Sequence, residues 1–126
     1  MKTITFTVTL AFTTNRRRKI FENENVTEEF ELLCKQALQE KGICNIHIQI
    51  LAGCSAVITA DLPLGITPEQ AAQTVKLATS KKIRNDFPEF SSMRALWTRK
   101  TWWAPGVPDE NMLENIRQFI NEQPHR

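Results

Sequence analysis

A chain of 126 residues that is 41% hydrophobic and 24% charged has the length and balance of one globular domain, which excludes a disordered or fibrous chain. Folding at this length removes roughly two-thirds of the unfolded surface from water, enough for a core without staples, and no apolar run approaches the roughly 20 residues of a membrane span. The formal net charge of +2 is too small to argue for nucleic acid by itself, because only clustered charge makes a useful local field.

Ile4, Phe6, Val8 and Leu10 alternate with Thr3, Thr5, Thr7 and Thr9, a period of two that predicts a half-buried first strand. Thr14 to Lys19 is a polar, basic loop. Thr27 is placed to cap a helix reaching about Lys41, with Phe30, Leu33, Ala37 and Leu38 on one face and Gly42 as its stop. Ile46, Ile48 and Ile50 alternate with Asn45, His47 and Gln49 in a second strand. A tight turn near Ala52 and Gly53 leads to a third over Ser55–Leu62, so the two form a hairpin. Thr67-Pro68-Glu69-Gln70 is a capping-box start for a helix ending near Asp86. Phe87 to Phe90 ends it, and Arg94–Trp103 reads as a strand rich in aromatic and basic residues. After the break Ala104 to Pro108, Asp109 caps a last helix through Gln123, apolar at Met112, Leu113, Ile116, Phe119 and Ile120. The order predicts an α+β fold: a ferredoxin-like βαββαβ sandwich, its antiparallel sheet covered by helices on one face, plus a C-terminal helix, all in a single domain over residues 1–126. That fold hosts many unrelated functions, so the function must come from the site.

Three cysteines, Cys34, Cys44 and Cys54, are an odd number, and the Met1–Phe12 stretch alternates where a signal peptide would be continuously apolar. Reduced thiols and a cytoplasmic location are expected. The even spacing lacks the close C-x-x-C pairs of a zinc knuckle, so no metal is expected there.

Several segments together resemble the single-tyrosine HUH transposases of the insertion-sequence-200 type and their REP-associated relatives. Thr13-Thr14-Asn15-Arg16-Arg17-Arg18-Lys19-Ile20-Phe21 resembles that family's basic T-x-Y-R-R-K-V-F segment. Thr67-Pro68-Glu69, Val75-Lys76 and Phe87-Pro88-Glu89-Phe90 are similar to its second helix and the F-P-E-L that follows. Ala95-Leu96-Trp97 and Trp102 to Gly106 resemble its L-W-x-x-x-F-W-S-x-G strand, and Ile116 to Gln123 its I-R-R-Y-I-E-x-Q helix. The resemblance spans nearly the whole chain and implies a strand-transfer enzyme that attacks single-stranded DNA with a tyrosine. A divalent metal such as magnesium or manganese, held by a His-x-His pair and a glutamine, would polarise the scissile phosphate.

The chain departs from that pattern where the chemistry lies. The strand that should carry D-H-x-H reads Gly53-Cys54-Ser55-Ala56, so the two ligand positions align with Cys54 and Ala56. The nucleophile position is Phe119, and the chain contains no tyrosine. Gln123 matches the third ligand, but a lone amide does not hold a catalytic metal, so neither a metal nor another cofactor is expected. His47 lies in an alternating strand with no partner in sequence, and His125 sits at a terminus expected to fray. A family strand between Gly106 and Asp109 is missing.

If the chemistry is lost, binding is what ancestry leaves. Arg16, Arg17, Arg18 and Lys19 share one loop, Lys76, Lys81, Lys82 and Arg84 lie on the second helix, and Arg94, Arg99 and Lys100 lie among Trp97, Trp102 and Trp103. Cations beside stackable rings suit hairpin or single-stranded DNA or RNA. Each feature also has a plainer reading: a basic run as a solvated loop, tryptophans as core, Phe119 as packing. The resemblance implies a homodimer with no membrane association. The expected function is nucleic-acid binding without strand cleavage, and the alternative is a protein-interaction module or inactive partner of an active transposase.

Overall fold

The computed structural model describes residues 4–124; the expectations for Thr3 and His125 lie outside them. The chain runs through β1 (Thr5–Thr13), two short 3-10 turns (Asn15–Arg17 and Ile20–Glu22), α1 (Glu24–Glu40), β2 (Cys44–Leu51), β3 (Ser55–Pro63), α2 (Pro68–Asp86), a 3-10 turn (Pro88–Phe90), β4 (Trp102–Pro105) and α3 (Glu110–Glu122). The four strands form one antiparallel sheet in the order β2-β3-β1-β4, the ferredoxin-like arrangement. The larger core includes Leu10, Phe12, Ala56 and Ile58 of the sheet, Phe30 and Leu38 of α1, and Val75 and Ile83 of α2. On the opposite face α3 lays Ile116 and Ile120 on Ala11, Cys54 and Val57.

This second layer changes the reading of β1. From Val8 to Thr13 every residue is buried, because β1 is a central strand covered on both faces. The hydroxyls thereby buried find partners: Thr9 and Thr59 share a bond at 2.9 Å, and Ser55 Oγ donates to the Phe12 carbonyl at 2.9 Å.

The turn between β2 and β3 sits where expected, with Ala52 and Gly53 both left-handed. The α2 start has the full capping box, Thr67 Oγ1 accepting from Gln70 N and Gln70 Oε1 from Thr67 N. Asp109 caps α3 through Met112 N. Two expectations need correction. The α1 helix starts one turn before Thr27: Asn23 Oδ1 accepts from Asn25 N as the cap, and Val26 is already in the core. Thr27 instead donates its hydroxyl to the carbonyl of Phe21. The strand expected over Arg94–Trp103 shrinks to Trp102–Pro105, preceded by an irregular stretch that touches β1 through a bridge between Thr14 and Trp97. Three carbonyls in that stretch turn toward one ammonium, which an alternating strand cannot do.

Trp97 anchors this stretch, meeting Phe12 edge-on at 4.8 Å between ring centroids and donating its indole N–H to Thr79 Oγ1 at 2.9 Å. Replacing Trp97 with alanine should cost about 3–5 kcal/mol of stability, read from urea denaturation; a loss under about 1 kcal/mol would contradict a central packing role.

Candidate functional site

Two surfaces concern function, and the first is the side of the sheet under α3. Strand alternation sends Ala56 to the opposite face with Phe12 and Ile58, while Cys54 packs beneath α3 with Ala11 and Val57. The two positions aligned with the family's histidine pair therefore do not share a face. Within β3, Ser55 and Val57 stand in the i, i+2 relation that shares a face, and Val57 packs under α3. Ser55 is occupied within the sheet, accepting from Thr13 Oγ1 at 3.4 Å while it donates to Phe12. Burial pushes the Cys54 thiol above its ordinary pKa, against the opposing pull of Arg17 and Lys19. Gln123 ends α3 almost fully buried and returns its side-chain amide to the Phe119 carbonyl at 3.2 Å. Phe119 lies half-buried one turn before Gln123, packed at the edge of the cluster under α3 and lining a shallow hollow of about 300 Å³ with Trp102, Asn115, Gln118 and Glu122.

The second surface is built by the loop after β1. Arg16 and Arg17 both have left-handed backbones, at φ 58° and 52°. This turn separates the arginines. Arg17 reaches toward α3, its NH1 3.5 Å from Asn121 Oδ1 and its Nε buried without a partner. Arg16 and Arg18 line a cleft of about 310 Å³ together with Asn15, Ser92, Met93 and Arg94. The walls are fixed by hydrogen bonds: Thr14 Oγ1 donates to the Arg18 carbonyl at 2.6 Å, and Asn15 N to the Leu96 carbonyl at 2.8 Å. Arg84 donates to the carbonyls of Met93 and Arg94 at 2.9 and 3.0 Å. Arg18 donates to the Glu89 carbonyl at 3.1 Å and lies 5.6 Å over the Phe90 ring. Among the described residues no carboxylate forms an ion pair with Arg16, Arg18 or Arg94.

The other cations named from the sequence fare differently. Lys19 pairs with Glu22 at 3.9 Å, and Lys82 with Asp86 at 2.8 Å. Lys81, Arg99 and Lys100 are exposed. Lys76 is turned inward: its Nζ donates to the carbonyls of Thr98, Arg99 and Lys100 at 3.0, 3.4 and 3.3 Å and to Thr101 Oγ1 at 3.1 Å, 5.3 Å above the Phe12 ring. Burial pushes its pKa down to about 8. Trp97 is core, Trp102 is half-buried beside α3, and Trp103 is 41% exposed with its indole N–H on Glu69. Asn15, Ser92 and Met93 carry no sequence signal for the cleft, because only the fold brings residues 15–18 and 92–94 together. His47 is exposed, and the three cysteines are free thiols. No helix among the described residues is long and apolar enough to cross a membrane.

A four-stranded antiparallel sheet with two helices on one face, a third beneath it and an arginine-lined loop after the first strand defines the class. The chain belongs to the IS200-like transposase family, whose model matches residues 2–123. It is similar in structure to a candidate transposase from Deinococcus radiodurans R1, with a TM-score of 0.84 and 13% identity over 99% of this chain and 95% of that one. It is also similar to a REP-associated tyrosine transposase solved bound to a REP hairpin, with a TM-score of 0.54 and 11% identity over 96% of this chain and 66% of that one. At these identities the likeness shows the fold. The sequence matches no curated protein.

The Lys76 geometry yields a pH dependence. A lysine held at about 8 in the folded chain and near 10.5 when unfolded leaves the unfolded state with more bound protons between those values, so stability rises with pH across that window. The stability difference between wild type and Lys76→Met should be flat below pH 8 and shift in favour of wild type up to about pH 10.5, measured by denaturation at stepped pH. A pH-independent difference would contradict a buried, titrating ammonium.

Proposed function

We propose that this domain binds hairpin or single-stranded nucleic acid as a homodimer in the cytoplasm, without cutting the strand and without a divalent metal. The observation that carries the binding half is the convergence of Arg16, Arg18 and Arg94 on one cleft, with no carboxylate ion-paired to them among the described residues. Guanidinium forks suit phosphate oxygens, and clustered cations gain affinity by releasing the counterions of a nucleic acid. Arg99 and Lys100 extend the basic surface past the bridge that ties Trp97 to β1. The structurally similar protein bound to a REP hairpin supports this reading.

The absence of cutting is supported by the residues under α3. Whether the histidine pair is matched to Cys54 and Ala56 or to Ser55 and Val57, neither pair supplies two metal ligands. Val57 and Ala56 have no donor atom, Ser55 is hydrogen-bonded in the sheet, and a thiol held protonated by burial binds metal poorly. These residues do not fit a divalent metal, and Gln123 alone is no substitute. Phe119 has no hydroxyl with which to attack a phosphate.

The dimer is supported by a groove of about 350 Å³ on the α3 side of the sheet, where the short link from β4 to α3 leaves His47, Ile48, Gln49, Val57, Thr59 and Pro108 beside a Val107 that is 67% exposed. A two-fold dimer uses the same patch on both copies, and an unfilled sheet face offers such a patch. Sedimentation should return twice the chain mass, and a monomer at micromolar concentration would contradict it. Three free thiols suit a reducing compartment.

Binding is tested by a salt series with a labelled hairpin and an unpaired strand. Arg16/Arg17/Arg18→Ala should weaken binding and flatten the slope of log affinity on log salt by up to roughly 2–3, since each phosphate contact adds slightly less than one. An unchanged slope, or no binding by wild type at low salt, would sink the proposal. Incubating the labelled strand with magnesium or manganese should give no covalent protein adduct, and any adduct overturns the non-cutting half.

A further inference from the structure

We propose that the arginine cleft is an end-binding site that takes the terminal phosphomonoester of a nucleic-acid strand, together with its terminal nucleoside; this rests on the nucleic-acid reading above. The first argument is charge. Arg16, Arg18 and Arg94 line a single cleft, and cations gathered at one cleft repel one another unless an anion sits among them. Glu89 does not fill that role: its carboxylate accepts from Asn23 Nδ2 at 3.2 Å, and its backbone carbonyl is what meets Arg18. A backbone phosphodiester carries one charge. A phosphomonoester carries about −1.5 to −2 near neutral pH and presents three terminal oxygens, a closer match to three forks.

The second argument is size and lining. A cleft of about 310 Å³ is at the small end of ligand pockets and suits one nucleotide. Half-buried Met93 offers an apolar wall for a sugar or base, and Asn15 and Ser92 offer hydrogen-bonding groups beside it.

The third argument is preorganisation. Arg18 is held by the Glu89 carbonyl and the Phe90 ring, and Arg84 clamps the carbonyls of Met93 and Arg94 from α2. Asn15 is tied to Leu96. The Arg18 side chain and the backbone of the cleft wall, already fixed, lose little freedom on binding, so the cleft discriminates by the charge and shape of its ligand.

Terminal nucleotides and free nucleoside monophosphates share this chemistry, and the test separates them. Affinity is measured by fluorescence anisotropy for one single strand prepared with a 5′-phosphate, with a 3′-phosphate, or with hydroxyls at both ends. A phosphorylated end should bind about tenfold tighter than the hydroxyl-ended strand, the size expected of one additional charge-assisted contact set. Arg94 is exposed, and Arg94→Ala should bring that ratio close to one. Adenosine monophosphate at millimolar concentration should abolish the preference, whereas the same concentration of adenosine should not. Equal affinity for phosphorylated and hydroxyl-ended strands overturns the inference and leaves general nucleic-acid binding standing. A preference that survives Arg94→Ala places the end elsewhere and overturns it too. Competition by adenosine monophosphate without any end preference assigns the cleft to free nucleotides instead. Failure of every strand to bind removes the underlying reading and this inference with it.

Discussion

The ammonium of Lys76 gathers the carbonyls of Thr98, Arg99 and Lys100 around one buried point, and the indole of Trp97 fills the core just before them. A buried charge is tolerable only when hydrogen-bonded, and here the carbonyls, the Thr101 hydroxyl and the Phe12 ring supply what water would. The same contacts keep the stretch before β4 out of the strand ladder and press it against the end of β1. Thr98 N reaches the Thr13 carbonyl, and Asn15 N reaches Leu96. Without that stitch, residues 92–94 and the arginine loop would have no reason to share a cleft.

Much of the fold was legible because local chemistry and tertiary packing agree. The capping box at Thr67, the Asp109 cap and the Ala52-Gly53 turn are short-range devices that the structure keeps. The errors arose where long-range contacts override local pattern. Aromatic and basic residues from Arg94 to Trp103 have strand propensity, but Trp97 is drawn into the core and Lys76 bends the carbonyls inward. Thr27 was a good cap by type, yet Val26 belongs to the core and pulls the helix start back to Asn23.

The site was legible in residue type and not in direction. Of the second-helix cations, Lys76 and Arg84 became internal braces, and no composition or spacing distinguishes a brace from a ligand-facing charge. The arginine run was visible as charge, but the left-handed backbone at Arg16 and Arg17 decides that its members face different surfaces. Of the positions aligned with the histidine pair, Cys54 packs under α3 and Ala56 enters the larger core, a difference of face that residue type alone does not reveal.

The picture that results has two separate surfaces. Of the positions where the family's resemblance implies a metal and a tyrosine, Cys54 and Phe119 pack in the cluster under α3 and Ala56 lies in the larger core. At the end of β1, Arg16 and Arg18 line the cleft, with Arg18 held by the Glu89 carbonyl and the Phe90 ring. The most direct test is hydrogen exchange of the full chain with and without a hairpin oligonucleotide. Protection of residues 14–19 and 92–100, with α3 unchanged by added magnesium, is the predicted result; protection confined to α3 and the start of β3, or appearing there only with the metal, would contradict the account.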